Sequence, residues 1–532
     1  MKNPILPFSV AAILAGGATP VLAIDLYVDK TTKQLFAESG PNRIKLGTFE
    51  KVEDQKADNK QVEADKNSVE ALRKDWESKR LEIEVLKEHV FEQKKDAAEV
   101  KLGEKGIEFE SADGNFKAAI NGRLQVDSQV NVNGNNPAAN TGANTTNQLA
   151  DGVNLRRARL GIEGSFYKNY EYKFEYDFSR GNGTATAGIT DAFVNWKVTG
   201  PFALRFGQFK EPFSLEEATS NRFLTFIERN QIVNSFSDNP NAYKVGIGAN
   251  YALDRLALFT AFQTETIGAG FSNNSSTNSN GNNNRNNGSG DTGWDFTGRI
   301  VGRPWYKNER KFLHIGSSGS YRSVNNNYTA NGDLSSGGFS FTSTPDGNVD
   351  RTAILNTGNL TTGNINSLAA RQVSSFSRFG LESAVVYGPF SAQAEYIQTN
   401  ISGRGYGSGE TLEGYYGYVS YFLTGESRAY KAKTGAWDRI KPTHRFGLDK
   451  GWGAWEVALG YDRLNLNDNI IQGGEAQTLK AALNWYPHSH MRLMANFVHV
   501  LDIDTARTSN ARSRSFNNTD LDLFEMRAQV DW

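Results

Sequence analysis

The stretch Phe524-Glu-Met-Arg-Ala-Gln-Val-Asp-Trp532 decides the fold. Side chains alternate across a strand, so Phe524, Met526, Ala528, Val530 and Trp532 share one face while Glu525, Arg527, Gln529 and Asp531 share the other. A soluble sheet would pack the apolar face on a core and leave the charged face in bulk water. A membrane barrel would turn the apolar face to lipid and the charged face to a wet lumen. One strand satisfies both readings. A second, Tyr170-Glu-Tyr-Lys-Phe-Glu-Tyr-Asp-Phe-Ser179, sharpens the choice, because Tyr170, Tyr172, Phe174, Tyr176 and Phe178 fall together opposite Glu171, Lys173, Glu175 and Asp177. An aromatic row is costly in water but suits lipid and the interfacial girdles of a barrel.

Similar strands can be drawn near 115–132, 155–165, 189–198, 201–210, 243–253, 255–265, 293–303, 311–322, 376–388, 389–401, 411–423, 453–466, 476–486, 490–501 and 521–532. With 169–180 they number sixteen, an even count as closed bacterial barrels have. Short turns such as Tyr167-Lys-Asn, Thr199-Gly-Pro, Ala252-Leu-Asp and Tyr387-Gly-Pro alternate with long polar loops near 133–153, 211–242, 266–292, 323–375 and 502–520. That rhythm is one of periplasmic turns and external loops. The connection 424–452 is long where parity calls for a short turn, so it either hides a strand pair or folds against the pore mouth. The Asn/Gly/Ser-rich residues 272–290 cannot bury apolar surface and read as a mobile external loop.

The first 23 residues carry Lys2, an apolar middle and Val21-Leu22-Ala23, a secretory signal with cleavage expected after Ala23 or, alternatively, after Ala18. Pro4, Pro7 and Pro20 interrupt a segment already too short to span a bilayer. Residues 24–49 read as a short periplasmic hairpin-like segment, and 50–101 as a helical coiled coil. In the latter, Val62, Val69, Trp76, Ile83 and Val90 recur every seventh residue, with Leu72 and Leu86 between them. Asp65 and Lys79 interrupt that seam; a parallel oligomeric coiled coil is still the favoured reading, with a solvated amphipathic helix as the bland alternative. Residues 112–532 are the barrel, which places the protein in the outer membrane of a Gram-negative cell with its N-terminal segment in the periplasm.

Several runs resemble the phosphate-selective porin O and P family: Asn121-Gly-Arg-Leu-Gln, Leu155-Arg-Arg-Ala-Arg-Leu, Tyr172-Lys-Phe-Glu-Tyr-Asp-Phe-Ser-Arg, Leu204-Arg-Phe-Gly-Gln-Phe-Lys, Leu215-Glu-Glu-Ala-Thr-Ser and Phe226-Ile-Glu-Arg-Asn. Phe390-Ser-Ala-Gln-Ala-Glu-Tyr, Leu423-Thr-Gly-Glu-Ser, Trp437-Asp-Arg-Ile-Lys-Pro and Gly453-Ala-Trp-Glu continue in the same order. The resemblance implies a barrel that assembles as a homotrimer, with an anion path lined by arginines and narrowed by an infolded third loop. Arg156 and Arg157 match the family's paired arginines, and Arg229 matches a basic residue near the constriction. Glu217 stands where phosphate-selective members have a lysine, which would repel phosphate; Arg159 and Lys210 could restore the positive charge.

By alternation Arg123, Arg157, Arg159, Lys173, Lys197 and Arg205 point into the lumen, as do Asp127, Glu163, Glu171, Glu175, Asp177 and Asp191. A mixed solvated wall is the bland account; rings of Arg or Lys are also how a pore favours anions, and the guanidinium fork suits phosphate oxygens. The anion-binding candidates are Arg157, Arg159, Lys173, Arg205, Lys210, Glu217, Arg222 and Arg229, with residues 210–229 as the constriction. No metal site or cofactor is expected: there is no cysteine, and the pair His488 and His490 lacks a third ligand. No nucleophile motif marks an enzyme. With 58 basic against 59 acidic residues, nucleic acid is not an expected partner. Passive diffusion of small hydrophilic anions such as phosphate or polyphosphate is the reading. The alternative is a general porin, or a structural barrel tethering the envelope through peptidoglycan contact by the coiled coil. Outer-membrane lipid is the remaining partner.

Overall fold

The computed structural model describes residues 23–31, 34–50, 59–96, 98–103, 106–133, 149–180, 188–238, 243–264, 293–324, 326–336, 339–447 and 450–532. The expected signal up to residue 22 and the polar loop 272–290 lie outside the described residues.

Sixteen antiparallel strands close into a barrel. They are β1 (Phe116–Asn133), β2 (Gly152–Phe166), β3 (Tyr170–Asp177), β4 (Gly188–Thr199), β5 (Phe202–Lys210), β6 (Tyr243–Ala252), β7 (Leu256–Thr264) and β8 (Trp294–Asn308). Then follow β9 (Lys311–Ser323), β10 (Gln372–Tyr387), β11 (Phe390–Arg404), β12 (Glu410–Phe422), β13 (Ala454–Asn467), β14 (Gln472–His488), β15 (Met491–Asp504) and β16 (Leu521–Asp531). Each overlaps one of the strands drawn from the sequence. The alternation acts as anticipated. Phe524, Met526 and Val530 of β16 are exposed outward while Glu525, Arg527, Gln529 and Asp531 are buried inward. Short turns gather at one rim, the periplasmic one, and long loops at the other.

The ring closes where β16 pairs with β1 from Leu523↔Asn131 to Asp531↔Arg123. Below that point a hairpin of Glu99–Gly103 and Gly106–Glu110 takes over the same edge of β1, from Ile107↔Ile120 to Glu110↔Lys117. At the junction Gly122 and Trp532 exchange backbone hydrogen bonds of 3.1 Å each. A Cβ on Gly122 would lie 2.2 Å from the Trp532 ring, so only glycine lets the indole lie across the seam.

The N-terminal unit is separate. Where a hairpin was expected, Ala23–Asp29 pairs with both Leu35–Phe36 and Arg43–Glu50, a three-stranded sheet. The helix runs from Asn59–Asp96. It stops short of residue 101, because Glu99–Gly103 is strand. Val69, Leu72, Trp76, Ile83 and Leu86 of the heptad are all exposed along it; the side chains of Val62 and Val90 lie outside the described residues. Among the described residues no helix is long and apolar enough to cross a membrane, which says nothing of strands.

Candidate functional site

After Lys210 the chain turns into the barrel, and residues 211–238 fill much of its cross-section. Two kinds of contact hold this third loop. Phe213, Phe226, Ile232 and Phe236 enter an apolar cluster with Phe376, Ile397, Tyr416, Tyr418 and Leu464 of the wall and with Phe339, Phe341 and Leu355 of the loop between β9 and β10. Lumen-facing positions of β10 to β16 are therefore partly apolar, a departure from the all-polar interior that alternation alone suggests. The second kind is polar. The backbone N–H groups of Leu215 and Glu216 donate to Glu395 of β11 at 3.0 and 2.8 Å. Wall side chains reach loop carbonyls: Arg378 donates to Phe236 at 2.7 Å, Asn484 to Thr225 at 2.8 Å and Arg492 to Leu224 at 2.6 Å.

Charges meet along the seam between loop and wall. Glu211 pairs with Lys244 and Arg378 at 2.6 Å each. Glu228 takes Arg156 through two bonds of 2.8 and 3.0 Å, Arg527 at 2.6 Å and Arg157 at 3.5 Å. Glu217, fully buried, lies between Lys210 and Arg229, with the Arg229 contact at 2.9 Å. Burial costs each such ion several kcal/mol unless partners surround it, so these clusters fix the loop in one arrangement. Against the cost of burial, Arg156, Arg157 and Arg527 hold Glu228 well below the usual carboxylate range. Glu216 behaves oppositely: burial, and then the facing Glu395 carboxylate, push it up to about 8.

Seven of the eight candidate residues fall into two groups. Arg157, Arg159, Glu217 and Arg229 are almost wholly buried, and Arg159 grips Glu175 and Asp177 at 2.7 and 2.8 Å. Lys173, Lys210 and Arg222 keep 29%, 22% and 16% of their side chains exposed. Lys173 pairs with Asp191 at 2.6 Å, and Arg222 lies 3.7 Å from both Glu175 and Asp531. Arg205, half-buried on β5, differs from the rest. Its guanidinium lies over Phe193 at 4.2 Å and near Phe209 at 5.5 Å, and among the described residues no carboxylate comes within ion-pair distance. The neighbouring carboxylates are engaged elsewhere, Asp191 with Lys173 and Glu171 with Lys197.

Strict alternation would turn Arg156 outward. A register shift opposite Gln125 and Val126 turns it inward beside Arg157, so both reach Glu228. A bulge of this kind re-aims a side chain and leaves no mark in residue type. Not counted among the sequence-derived candidates are Lys244, Arg378, Arg492 and the lumen-facing Arg527, buried cations of the wall that touch the loop or its carboxylates. Their inward strand parity was the available signal.

The 424–452 connection contains a small strand pair, Tyr430–Lys431 with Ala436–Trp437, which stays out of the barrel sheet and folds into the lumen. Trp437 is buried, donates its indole N–H to Gln393 at 2.5 Å and accepts Phe312 and Tyr430 as ring neighbours. Its backbone N–H reaches Thr219 of the third loop at 3.3 Å, and Arg439 clasps Asp531 at 2.7 and 3.0 Å. The lumen is thus narrowed from both ends. His490 lies 3.4 Å from Asp531. Among the described residues the group of metal-type ligands within 4.8 Å of one another is His499, Asp520 and Asp522, which excludes His488 and His490.

Comparison with known proteins agrees with this architecture. The family profile described as phosphate-selective porin O and P matches residues 120–532. Porin O of Pseudomonas aeruginosa is 29% identical over 422 residues, covering 76% of this chain and 87% of that protein. An uncharacterized protein of Caulobacter vibrioides is 28% identical over 391 residues, covering 73% and 69%. Among solved structures, an anion-selective porin from Comamonas acidovorans superposes with a TM-score of 0.44 at 11% identity, covering 78% of this chain and all of that one. The chain belongs to the phosphate-selective porin O and P family, and is a porin of the Gram-negative outer membrane.

Proposed function

We propose that this porin passes small anions passively and that its preference is set along the β3–β5 wall and the third loop. Arg205 carries the reading. A guanidinium lying over Phe193, with Asp191 and Glu171 engaged by lysines, leaves part of its field for a passing anion. Lys173, Lys210 and Arg222 flank the path with exposed but partly compensated charge. Arg157, Arg159 and Arg229 lie behind them as neutralised supports. Glu217 cancels much of Lys210 and Arg229, so phosphate is held more weakly than in a member with lysine there. The name of the Pseudomonas relative's family supports phosphate as the solute class.

The test is the reversal potential of the reconstituted channel in a potassium chloride gradient, followed by phosphate titration. Anion preference is expected, and Arg205→Ala should diminish it. Cation preference in the wild type, or an Arg205→Ala channel with unaltered selectivity, refutes the assignment.

The exposed apolar residues of the N-terminal helix support a further reading of the assembly. Three barrels sit side by side with their helices bundled as a parallel coiled coil in the periplasm, after removal of a signal that ends at Ala23. Such a bundle could also tether the envelope through peptidoglycan. Deleting residues 24–96, which spares the hairpin on β1, separates the roles, since tethering predicts loss of envelope integrity with conductance intact.

A further inference from the structure

The connection between β12 and β13 has a second half that faces away from the pore. Glu456, Asn484 and Tyr486 point into the lumen, so Trp455 and Trp485 between them point to lipid. Residues 444–447 and 450–453 lie against these two rings at the periplasmic rim. Trp455 and Trp485 stack at 5.5 Å, and their indole N–H groups both donate to the Trp452 carbonyl, at 3.1 and 2.7 Å. Phe446 meets the Trp485 ring edge-on at 5.2 Å, and its backbone N–H donates to Pro487 at 3.1 Å. Gly453 (φ +72°) donates to His444 at 3.1 Å; a Cβ there would lie 2.4 Å from the Tyr486 carbonyl. The loop is therefore fixed on the outer surface of the barrel.

What it presents is an exposed indole among cations. Trp452 is 74% exposed, against 62% for Tyr167 and 55% for Tyr387 at the same rim. Lys441, His444, Arg445 and Lys450 around it are all exposed. From 441 to 453 the sequence holds three cations, Lys441, Arg445 and Lys450, against one carboxylate, Asp449, a net +2. An indole that projects from the wall at membrane level, ringed by cations, matches a headgroup layer with apolar chains below and phosphates above.

We propose that residues 441–447 and 450–453 bind the headgroup of an anionic phospholipid of the inner leaflet. Trp452 enters the interface beside the glycerol backbone, while Arg445 and Lys450 face the lipid phosphate and Lys441 adds to the field. Charge complementarity selects this occupant over a zwitterionic lipid.

Native mass spectrometry of the full-length protein released from nanodiscs of equal phosphatidylglycerol and phosphatidylethanolamine tests this. Wild type should retain phosphatidylglycerol preferentially. Arg445→Gln with Lys450→Gln should reduce that preference roughly tenfold, since each surface cation favours anionic lipid by a factor of several. Trp452→Ala should lower retention of both lipids without changing the subunit count. Equal retention of the two lipids by wild type, or an unchanged preference in the double variant, overturns the proposal. Loss of subunits on Trp452→Ala also overturns it, because this face would then be a contact between copies.

Discussion

Replacing Glu217 by glutamine should convert a weak phosphate binder into a stronger one. The wild-type carboxylate is fully buried between Lys210 and Arg229, 2.9 Å from the Arg229 guanidinium. Arg229 is also anchored on the carbonyls of Glu216 and Thr219, at 3.3 and 3.1 Å, so it stays in place without its ion pair. Removing one negative charge ~5 Å from a bound anion is worth on the order of 1–3 kcal/mol, depending on how wet the gap is. That corresponds to roughly 5- to 150-fold tighter binding. The change uncovers buried positive charge and should cost about 3–5 kcal/mol of stability, which the other contacts of the loop can absorb. The assay is phosphate block of chloride current in planar bilayers. Half-blocking phosphate should fall at least ~5-fold, and Glu217→Ala should act in the same direction. If both variants fold and insert yet block like wild type, Glu217 does not face the solute path.

Trp437→Ala should enlarge the opening from the periplasmic side and raise single-channel conductance, at a stability cost of about 3–5 kcal/mol for the lost ring; unchanged conductance would show that the luminal hairpin lies off the path. Glu216, pushed up to about 8 by burial and by Glu395, binds its proton more tightly folded than unfolded. Its contribution to stability is whole below the ordinary carboxylate pKa of 4.5 and is lost as pH rises through about 8. Thermal unfolding in detergent should therefore come at lower temperature at pH 9 than at pH 6, and Glu216→Gln should flatten the difference. Trp76→Asp with Ile83→Asp should weaken the periplasmic helical bundle, seen as loss of trimer by native mass spectrometry; a monomeric wild type refutes the bundle itself.

The barrel was legible because lipid and lumen impose opposite demands on neighbouring residues, and a two-residue period survives in the sequence as Tyr170 to Phe178 show. Strand number and loop parity followed from the same signal. The site was less legible. Alternation assigns Arg159 and Arg205 to one lumen and cannot tell that Arg159 is locked to Glu175 and Asp177 while Arg205 rests on Phe193. Those partners come from neighbouring strands whose register the sequence does not state. The inward turn of Arg156 depends on one register shift. The apolar filling of the lumen escaped notice because Phe226, Phe341 and Phe376 lie on elements far apart in the chain, and their meeting requires two loops to fold inward.

Arg527 of the last strand bonds Asp127 of the first at 2.7 and 2.6 Å and Glu228 of the third loop at 2.6 Å, a span of 400 residues from Asp127. Bringing such distant positions together costs roughly 5 kcal/mol in chain entropy. Until β16 arrives, Glu228 and Asp127 lack a cation that both share, and the third loop lacks one of its moorings. Closing the wall therefore also completes the ion cluster of Glu228 that Arg156 and Arg157 begin. A change that loosens the seam between the first and last strands therefore reaches the constriction as well, because one guanidinium belongs to both.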